Sequence, residues 1–246
     1  MEKVFLRFEA AVPQPQFVAV SSTHMAWRYV EQTIEQALVQ KLARIISGLR
    51  ALDLLFQHGQ FQEQGVLQRM LDETTEDIHL LAQGATGGIE PIHTDFLAEF
   101  WKEEIDSDAA TLAPKRGMIR RDRIRKHLIR QLPGTGFEQA NKAGKTIHKM
   151  YSGFVHGASP HIMDMCGGFP PKFYLAGMNG TPRVSDFLED AGNYFYRGLL
   201  AATVVAKAFG DEASVALMYS YLGHYEGLMG STYMRDVSAG THPKGQ

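Results

Sequence analysis

The sequence lacks the features of several protein classes. Its 246 residues include a single cysteine, Cys166, so no disulfide can form within the chain, and this suits a reducing compartment. No apolar run reaches about 18 residues, the length of a membrane span, and the N-terminus has no signal-peptide pattern. The formal net charge of -2 excludes a global attraction to nucleic acids or anionic membranes. We therefore expect a cytoplasmic protein without a membrane partner, in which any polyanion binds to a local patch.

Motifs of cofactor and metal chemistry are also missing. The glycine-rich segment 84–88 does not follow a predicted strand, as a phosphate-binding loop would. Glu76 and His79 have the spacing of di-iron ligands, but no adequate second pair is present. The spacings in one later group match no standard zinc pattern: His156, His161, Asp164 and Cys166. We predict no metal and no cofactor.

Apolar residues at helical spacing are abundant. One stripe has intervals of three and four: Ile34, Leu38, Leu42, Ile45, Leu49, Leu52 and Phe56. This pattern predicts a long amphipathic helix starting near Met25, with Ser22 or Thr23 as its N-cap and Gly59 at its end. A second helix, about 61–83, follows after a short connection, so the two should form an antiparallel hairpin.

Further helical segments follow, so the sequence predicts one all-α domain over residues 1–246. A basic helix lies near 118–132, a central helix spans about 137–156, and two more helices cover about 184–209 and 211–230. We expect an up-and-down bundle of about six or seven helices. A long irregular insertion rich in glycine and proline lies near 157–183, and such insertions are often functional.

The ends of the domain and two short segments are predicted to be non-helical. Residues 1–20 form an N-terminal extension, and 231–246 a loose tail. Alternation of Val4, Leu6 and Phe8 predicts a short strand, and the dipeptide Asn179–Gly180 predicts the turn of a small hairpin.

Polar residues form matching lines on two of the predicted helices. On the central helix a polar stripe lies beside an apolar face; it consists of Asn141, Lys145, His148, Ser152 and His156. On the second helix, Arg69, Glu73 and Glu76 lie opposite the apolar side. If another helix covers this line, it becomes a buried cluster that needs polar partners, and the stripe can supply them. The alternative is a solvated ion pair between Arg69 and Glu73.

Two of these segments carry a family resemblance. Arg69-Met-Leu-Asp-Glu73 and the later Met150-Tyr-Ser-Gly-Phe-Val-His156-Gly-Ala-Ser, followed by Pro160-His-Ile-Met, resemble a set of uncharacterised bacterial helical proteins. Those proteins pair an R-x-x-x-E helix with a Y-S-x-x-V-H-G segment and are similar to the HEPN (higher eukaryotes and prokaryotes nucleotide-binding) superfamily. The resemblance covers about residues 30–210. It implies a helical bundle that is frequently dimeric; many members are metal-independent ribonucleases, and others are inactive partners.

The basic helix offers a second candidate site. The HEPN ribonuclease signature is an arginine, usually followed by a polar residue, with four to six residues between it and a histidine. Arg121, followed by Asp122, is separated from His127 by five residues and has this spacing. His127 would act as general acid or base on a ribose hydroxyl, while Arg121 would stabilise the phosphate charge. With Arg125, these residues are candidate nucleic-acid contacts. Alternatively, the helix is a solvated basic face that pairs with Glu99, Glu103 and Glu104.

Two functional interpretations follow. In the first, a HEPN-like homodimer binds a nucleotide or RNA, with ribonuclease activity as an extension, through five residues: Arg69, Glu73, Tyr151, Ser152 and His156. In the second, the same residues are a structural polar lock in a non-catalytic interaction or sensor module. Accessibility discriminates between them, because a binding site must be open to solvent and a lock need not be.

Overall fold

The computed structural model describes residues 1–103, 117, 119–131 and 137–230. Nine helices and two small antiparallel sheets lie within these ranges, which confirms the all-α prediction. In chain order they are α1 (Glu2–Ala11), β1 (Gln16–Ala19), β2 (Met25–Arg28), α2 (Ile34–Gln57), α3 (Phe61–Gly87), α4 (Pro91–Phe100), α5 (Arg121–Arg130), α6 (Phe137–Val155), α7 (Ser159–Met163), β3 (Cys166–Gly167), β4 (Lys172–Phe173), α8 (Val184–Ala208) and α9 (Glu212–Met229). The predicted tail, 231–246, lies outside the described residues.

The predicted first long helix is α2, but it begins later than expected. Met25–Arg28 is strand β2, paired with β1, and the helix starts after Thr33 rather than after Ser22 or Thr23. The Thr33 hydroxyl accepts a hydrogen bond from the Gln36 N–H, and the Gln36 side chain accepts one from the Thr33 N–H. This capping box satisfies two backbone donors and sets the start of the helix.

Helix α3 lies at the centre of the described fold. It packs against α2, α8, α6, α5 and α4, and α2 and α8 also contact each other. Its apolar side contributes Leu71, Ile78 and Leu81 to a core shared with α2 and α8. Because helices cover α3 on several sides, its polar residues must find partners within the protein.

The N-terminal segment is a helix, so the strand prediction for Val4, Leu6 and Phe8 was wrong. Val4, Phe8 and Val12 are buried at helical intervals of four, whereas Leu6 is exposed. The Phe8 ring stacks on Phe209, with centroids 4.6 Å apart. Burial against the bundle thus favours the helical period over the local alternation.

The insertion at 157–183 is ordered around the α2–α3 turn. Strands β3 and β4 pair with each other, so the small hairpin lies earlier in the chain than the one predicted at Asn179–Gly180. The Met178 N–H donates to the Gly59 carbonyl at 2.9 Å, and the Asn179 amide donates to the Gln57 carbonyl at 2.9 Å. Gly59 has φ of +68°, a left-handed conformation that favours glycine at this turn.

A close contact between α3 and α6 predicts opposite effects of alanine at two helical glycines. A Cβ at Gly65 would lie 2.6 Å from the Phe154 ring, whereas one at Gly223 in α9 would meet no atom within 4 Å. We expect Gly65→Ala to destabilise the protein by about 1–3 kcal/mol through overpacking. Gly223→Ala, the control, should stabilise it by about 0.5–1 kcal/mol because alanine favours the helix. Urea denaturation measures both, and equal stabilisation would contradict the contact.

Candidate functional site

The middle of α3 carries four carboxylates within two helical turns: Asp72, Glu73, Glu76 and Asp77. Four neighbouring helices direct basic side chains at them, namely Lys41 from α2, Arg121 and Arg125 from α5, His148 from α6 and Arg197 from α8. Together with Arg69 of α3, we call these residues the α3 charge cluster. Ion pairs thereby tie α2, α5 and α8 to α3, whereas hydrogen bonds between Arg69 and His148 join α6 to it.

The most deeply buried carboxylate is that of Asp77, which is 1% exposed. The Lys41 ammonium lies 2.7 Å from Asp77 Oδ2, and the Arg121 guanidinium donates to both carboxylate oxygens. Arg121 also donates to the backbone carbonyl of Glu73 at 3.1 Å. A carboxylate this far from water is stable in its ionised form only with such partners.

Asp72 and Glu76 form a second line on α3. Arg125 Nε donates to Glu76 Oε1 at 2.9 Å, and Arg197 Nη1 lies 2.5 Å from Asp72 Oδ1. Burial raises the pKa of both carboxyl groups, and the neighbouring arginines oppose this shift. The arginines therefore favour the ionised form of two carboxyl groups that desolvation would otherwise make easier to protonate.

At the solvent-facing end of the cluster lie Arg69, Glu73 and His148, which we call the outer cluster. Arg69 Nε donates to Glu73 Oε1 at 2.8 Å, and Nη1 donates to the His148 backbone carbonyl at 3.1 Å. Arg69 Nη2 lies 2.6 Å from His148 Nε2. Because a guanidinium only donates hydrogen bonds, Nε2 must be the acceptor and the imidazole must be neutral. Burial, and next the Arg69 charge, lowers the pKa of His148.

The outer cluster is accessible to solvent. The side chains of Arg69, Glu73 and His148 are 19%, 26% and 32% exposed, respectively, in contrast to Asp77. The charge cluster therefore has a buried end that holds helices together and a partly open end at which a ligand can replace a protein partner.

Tyr151 and Ser152 follow His148 on α6. Tyr151 is 5% exposed, and its ring packs edge to face on Tyr194, with centroids 6.1 Å apart. Burial raises the pKa of Tyr151 to about 12, so its hydroxyl remains protonated at neutral pH. Ser152 is half-buried, one helical turn beyond His148. Of these two predicted site residues, Tyr151 lies in the interior and Ser152 lies nearer the surface.

His156 is separate from the outer cluster. It is exposed just beyond the last residue of α6, and within the described ranges its side chain makes no recorded hydrogen bond or ion pair. Eight residues separate it from His148, about 12 Å along a helix axis. The register of α6 explains the difference: Phe154 lies against Gly65, so the residue level with Arg69 is earlier in α6. The structure therefore joins Arg69 and Glu73 with His148 and leaves His156 apart.

The basic helix α5 directs its two predicted arginines inward. Arg121 and Arg125 are held by α3 carboxylates, whereas the His127 ring packs edge to face on His93, with centroids 5.4 Å apart. Six residues along a helix correspond to a rotation of about 240°, so Arg121 and His127 face different directions. The spacing of the ribonuclease signature is present, but its two side chains do not converge within this chain.

Of the three acidic partners expected for α5, Glu99 accepts a hydrogen bond from Lys102 at 2.6 Å. Glu103 accepts two hydrogen bonds from Arg28, at 2.6 and 2.8 Å, and Glu104 lies outside the described residues. Sequence reasoning missed Lys41, Asp77 and Arg197 as members of the cluster. Asp77 had a usable signal, since it lies one helical turn after Glu73; Lys41 and Arg197 required knowledge of how α2 and α8 pack.

Within the described ranges, no group of three or more His, Cys, Asp or Glu residues is arranged to hold a metal ion. None of the helices described is both long and apolar enough to cross a membrane. The chain matches none of the protein-family models, curated proteins or solved structures with which it was compared. Functional inference therefore depends on the geometry of the site.

The buried end of the charge cluster predicts a large effect on stability. Asp77→Ala would leave Lys41 and Arg121 without their carboxylate, and we expect a loss of about 3–5 kcal/mol of unfolding free energy. The matched control is Asp95→Ala, which removes an exposed partner of Arg123 and should cost at most about 1 kcal/mol. Chemical denaturation compares the two. Similar small losses would show that Asp77 does not hold the helices together.

Three histidines predict a loss of stability on mild acidification. Burial lowers the pKa of His79, His93 and His148 below their ordinary value of 6.5. As the pH falls from 7.5 through 6.5, the unfolded chain takes up protons that the folded protein does not, so unfolding becomes easier. Burial raises the folded-state pKa of Asp72 and Glu76, so these two groups have the opposite effect on stability. Their contribution is present at acidic pH, where they are protonated, and is lost as the pH rises from their ordinary pKa through the raised one.

His148→Gln tests the share of this effect that comes from the outer cluster. The glutamine amide oxygen can accept the Arg69 hydrogen bond but cannot titrate, so the unfolding free energy should fall less between pH 7.5 and 5.5 than in the wild type. His224→Gln, at an exposed position on α9, is the control and should follow the wild-type profile. Parallel profiles for all three proteins would contradict the neutral state of His148.

Proposed function

We propose that this HEPN-like helical protein binds a phosphate group of a nucleotide or RNA at the outer cluster. The observation that carries this proposal is the bond between Arg69 and the neutral Nε2 of His148 in a partly open site. A phosphate oxygen can replace Nε2 as the acceptor from Arg69, because charge-assisted bonds to phosphate are stronger than neutral ones. The exchange requires only local side-chain movement.

The charge balance of the cluster supports an anionic ligand. Its permanent cations outnumber its carboxylates by five to four: Lys41, Arg69, Arg121, Arg125 and Arg197 against Asp72, Glu73, Glu76 and Asp77. Glu73 accepts a hydrogen bond from Arg69 Nε and so orients the planar guanidinium group, which is thereby preorganised to contact a phosphate.

Cleavage of an RNA strand is an extension of the same geometry. Once a phosphate engages Arg69, His148 Nε2 is free to take the proton of a ribose 2′-hydroxyl as a general base, and Arg69 stabilises the charge that develops on the phosphate. The 2′-oxygen then bonds to the adjacent phosphorus, the bond from phosphorus to the 5′-oxygen of the next nucleotide breaks, and that oxygen takes a proton from solvent, which leaves a 2′,3′-cyclic phosphate. Ser152, one turn further along α6, offers a hydroxyl to the ligand. Tyr151 supports the helix from the interior, and exposed His156 would meet a longer ligand about 12 Å further along.

A second candidate function is a non-catalytic interaction module in which the cluster is a lock between helices. The burial of Asp77 with Lys41 and Arg121 favours it for the inner end. The two functions are compatible, since the lock and the ligand site occupy different ends of one cluster.

The proposal includes a homodimer, as the HEPN resemblance implies. Helices α6 and α7 expose apolar side chains that a second copy would cover: Ile147, Met150, Val155, Ile162 and Met163. Exposed apolar residues grouped in this way are typical of contact surfaces.

We expect purified protein to bind AMP and a 20-nucleotide single-stranded RNA, and both affinities to fall at least about tenfold in Arg69→Ala, because a hydrogen bond to a charged group contributes about 1.5–3 kcal/mol. Calorimetry measures AMP binding, fluorescence anisotropy measures RNA binding, and ultracentrifugation of the same samples reports the dimer. If RNA is cleaved, cleavage should disappear in His148→Ala.

Three variants serve as comparisons for this experiment. Lys149→Ala removes an exposed charge on α6 and should bind like the wild type. His127→Ala and His156→Ala distinguish the alternative sites: cleavage lost only in His127→Ala would move the chemistry to α5, and cleavage lost only in His156→Ala would move it to the end of α6. Wild-type protein that binds neither AMP nor RNA would leave the lock as the function of the cluster.

A further inference from the structure

Helix α5 presents a second basic surface on the side away from α3. There it forms one wall of an open cleft of ≈ 490 Å³, lined by Arg120, Arg123, Lys126, His127 and Arg130 together with Glu90 at the start of α4. None of the four permanent cations in this cleft belongs to the α3 charge cluster. The cleft is therefore a separate feature of the fold.

The helical period explains why α5 is basic on two sides. Arg121, Arg125 and Ile129 follow one another at intervals of four, and this line faces the protein interior. The residues at 120, 123, 126, 127 and 130 alternate with that line at intervals of three and four, so they face the cleft. Arg121 and Arg125 are thus the basic residues of α5 that pair with α3 carboxylates.

The acidic groups near the cleft do not cancel its charge. Arg123 pairs with Asp95 at 2.7 Å, with both side chains about half exposed, and Lys126 pairs with Asp122 at 2.7 Å. Solvent-exposed pairs of this kind are weak and exchange readily for a phosphate. The third acidic group, the Glu90 carboxylate, caps the N-terminus of its own helix. Among the described residues, four permanent cations and His127 therefore face three carboxylates, of which Asp95 and Asp122 are in exposed ion pairs and Glu90 is held by its own helix.

The composition of the cleft favours a nucleic acid over an acidic protein. Three of the four permanent cations are arginines, whose planar forks match phosphate oxygens. Pro91 and Ile92 add apolar surface, and the half-buried His127 ring can stack on a base. The cleft volume also lies within the range of about 300–1,000 Å³ that is common for small-molecule sites, so a nucleotide unit fits.

We infer that this cleft binds the phosphate backbone of a single-stranded RNA, so that the protein's ligand is an oligonucleotide rather than a free nucleotide. The inference rests on the proposed function only in assigning both sites to one strand. Arg121 and Arg125 face α3, and the cleft residues lie on other faces of α5, so a strand that reaches both sites would pass around this helix.

The test compares a double variant, Arg123→Glu/Lys126→Glu, with Lys3→Glu/Lys172→Glu, which makes the same charge change at exposed positions elsewhere. Binding of a fluorescein-labelled 20-nucleotide RNA is measured by anisotropy from 50 to 200 mM salt, and AMP binding is measured by calorimetry. We expect the cleft variant to lose at least about tenfold in RNA affinity. Its slope of log affinity against log salt should shrink by about 1.4, since each lost phosphate contact contributes about 0.7. Its AMP affinity should be unchanged.

Each outcome separates the cleft from the outer cluster. RNA affinity that falls equally in both double variants would overturn the inference, because only the net charge would then matter. Equal competition by poly-glutamate and by poly-uridylate would also overturn it, in favour of an acidic protein partner. If Arg69→Ala retains RNA and AMP affinity while the cleft variant loses RNA, the outer-cluster proposal fails and the cleft stands. Circular dichroism confirms folding, and Arg123→Gln/Lys126→Gln replaces any variant that misfolds.

Discussion

The pairing of four α3 carboxylates with basic residues from neighbouring helices is the constraint on which the described fold depends. A charged group is rarely buried without a partner, because contacts with apolar groups do not recover the free energy that the group loses when it leaves water. Helix α3 packs on α2, α5, α6 and α8, so water reaches little of its polar side. Each neighbouring helix therefore supplies a basic side chain, and the position of that side chain limits how the helix can slide along α3.

Exposure changes along the cluster, and this gradient separates support from binding. Asp77 is enclosed by Lys41 and Arg121, where exchange of partners would leave charges unpaired. Arg69 and His148 lie near solvent, where a ligand oxygen can replace the imidazole nitrogen. The buried end holds the helices in register, and this register keeps Arg69 and His148 in contact. A site supported in this way is preorganised, which lowers the cost of ordering it when a ligand arrives.

Small residues allow the helices to approach closely enough for these charges to meet. Phe154 of α6 packs over Gly65 of α3, and the Arg125 side chain packs over Gly144 of α6. The first contact sets the axial position of α6 relative to α3. The second allows the Arg125 side chain to pass close to α6 and reach Glu76. Helix α5 is basic on two sides, and only the arginines that face α3 belong to the charge cluster.

Periodicity alone was enough to predict the helical class and the two polar lines, since it shows which side chains share a face of a helix. It predicted α2 from its apolar stripe, and it placed Arg69 and Glu73 on one line and His148 on the other. The prediction for α1 was wrong. Val4, Leu6 and Phe8 alternate as in a strand, but the segment is a helix whose packing against the bundle buries Val4 and Phe8 on one face.

Which members of the two lines meet depends on how the helices pack against one another. Periodicity describes rotation about a helix axis, but it contains no information about the level at which one helix lies against another. The Gly65–Phe154 contact sets that level, so Arg69 reaches His148 and not His156. Periodicity likewise could not predict the contributions of Lys41 and Arg197. These residues lie on α2 and α8, and burial of the whole core determines which helices those two pack against.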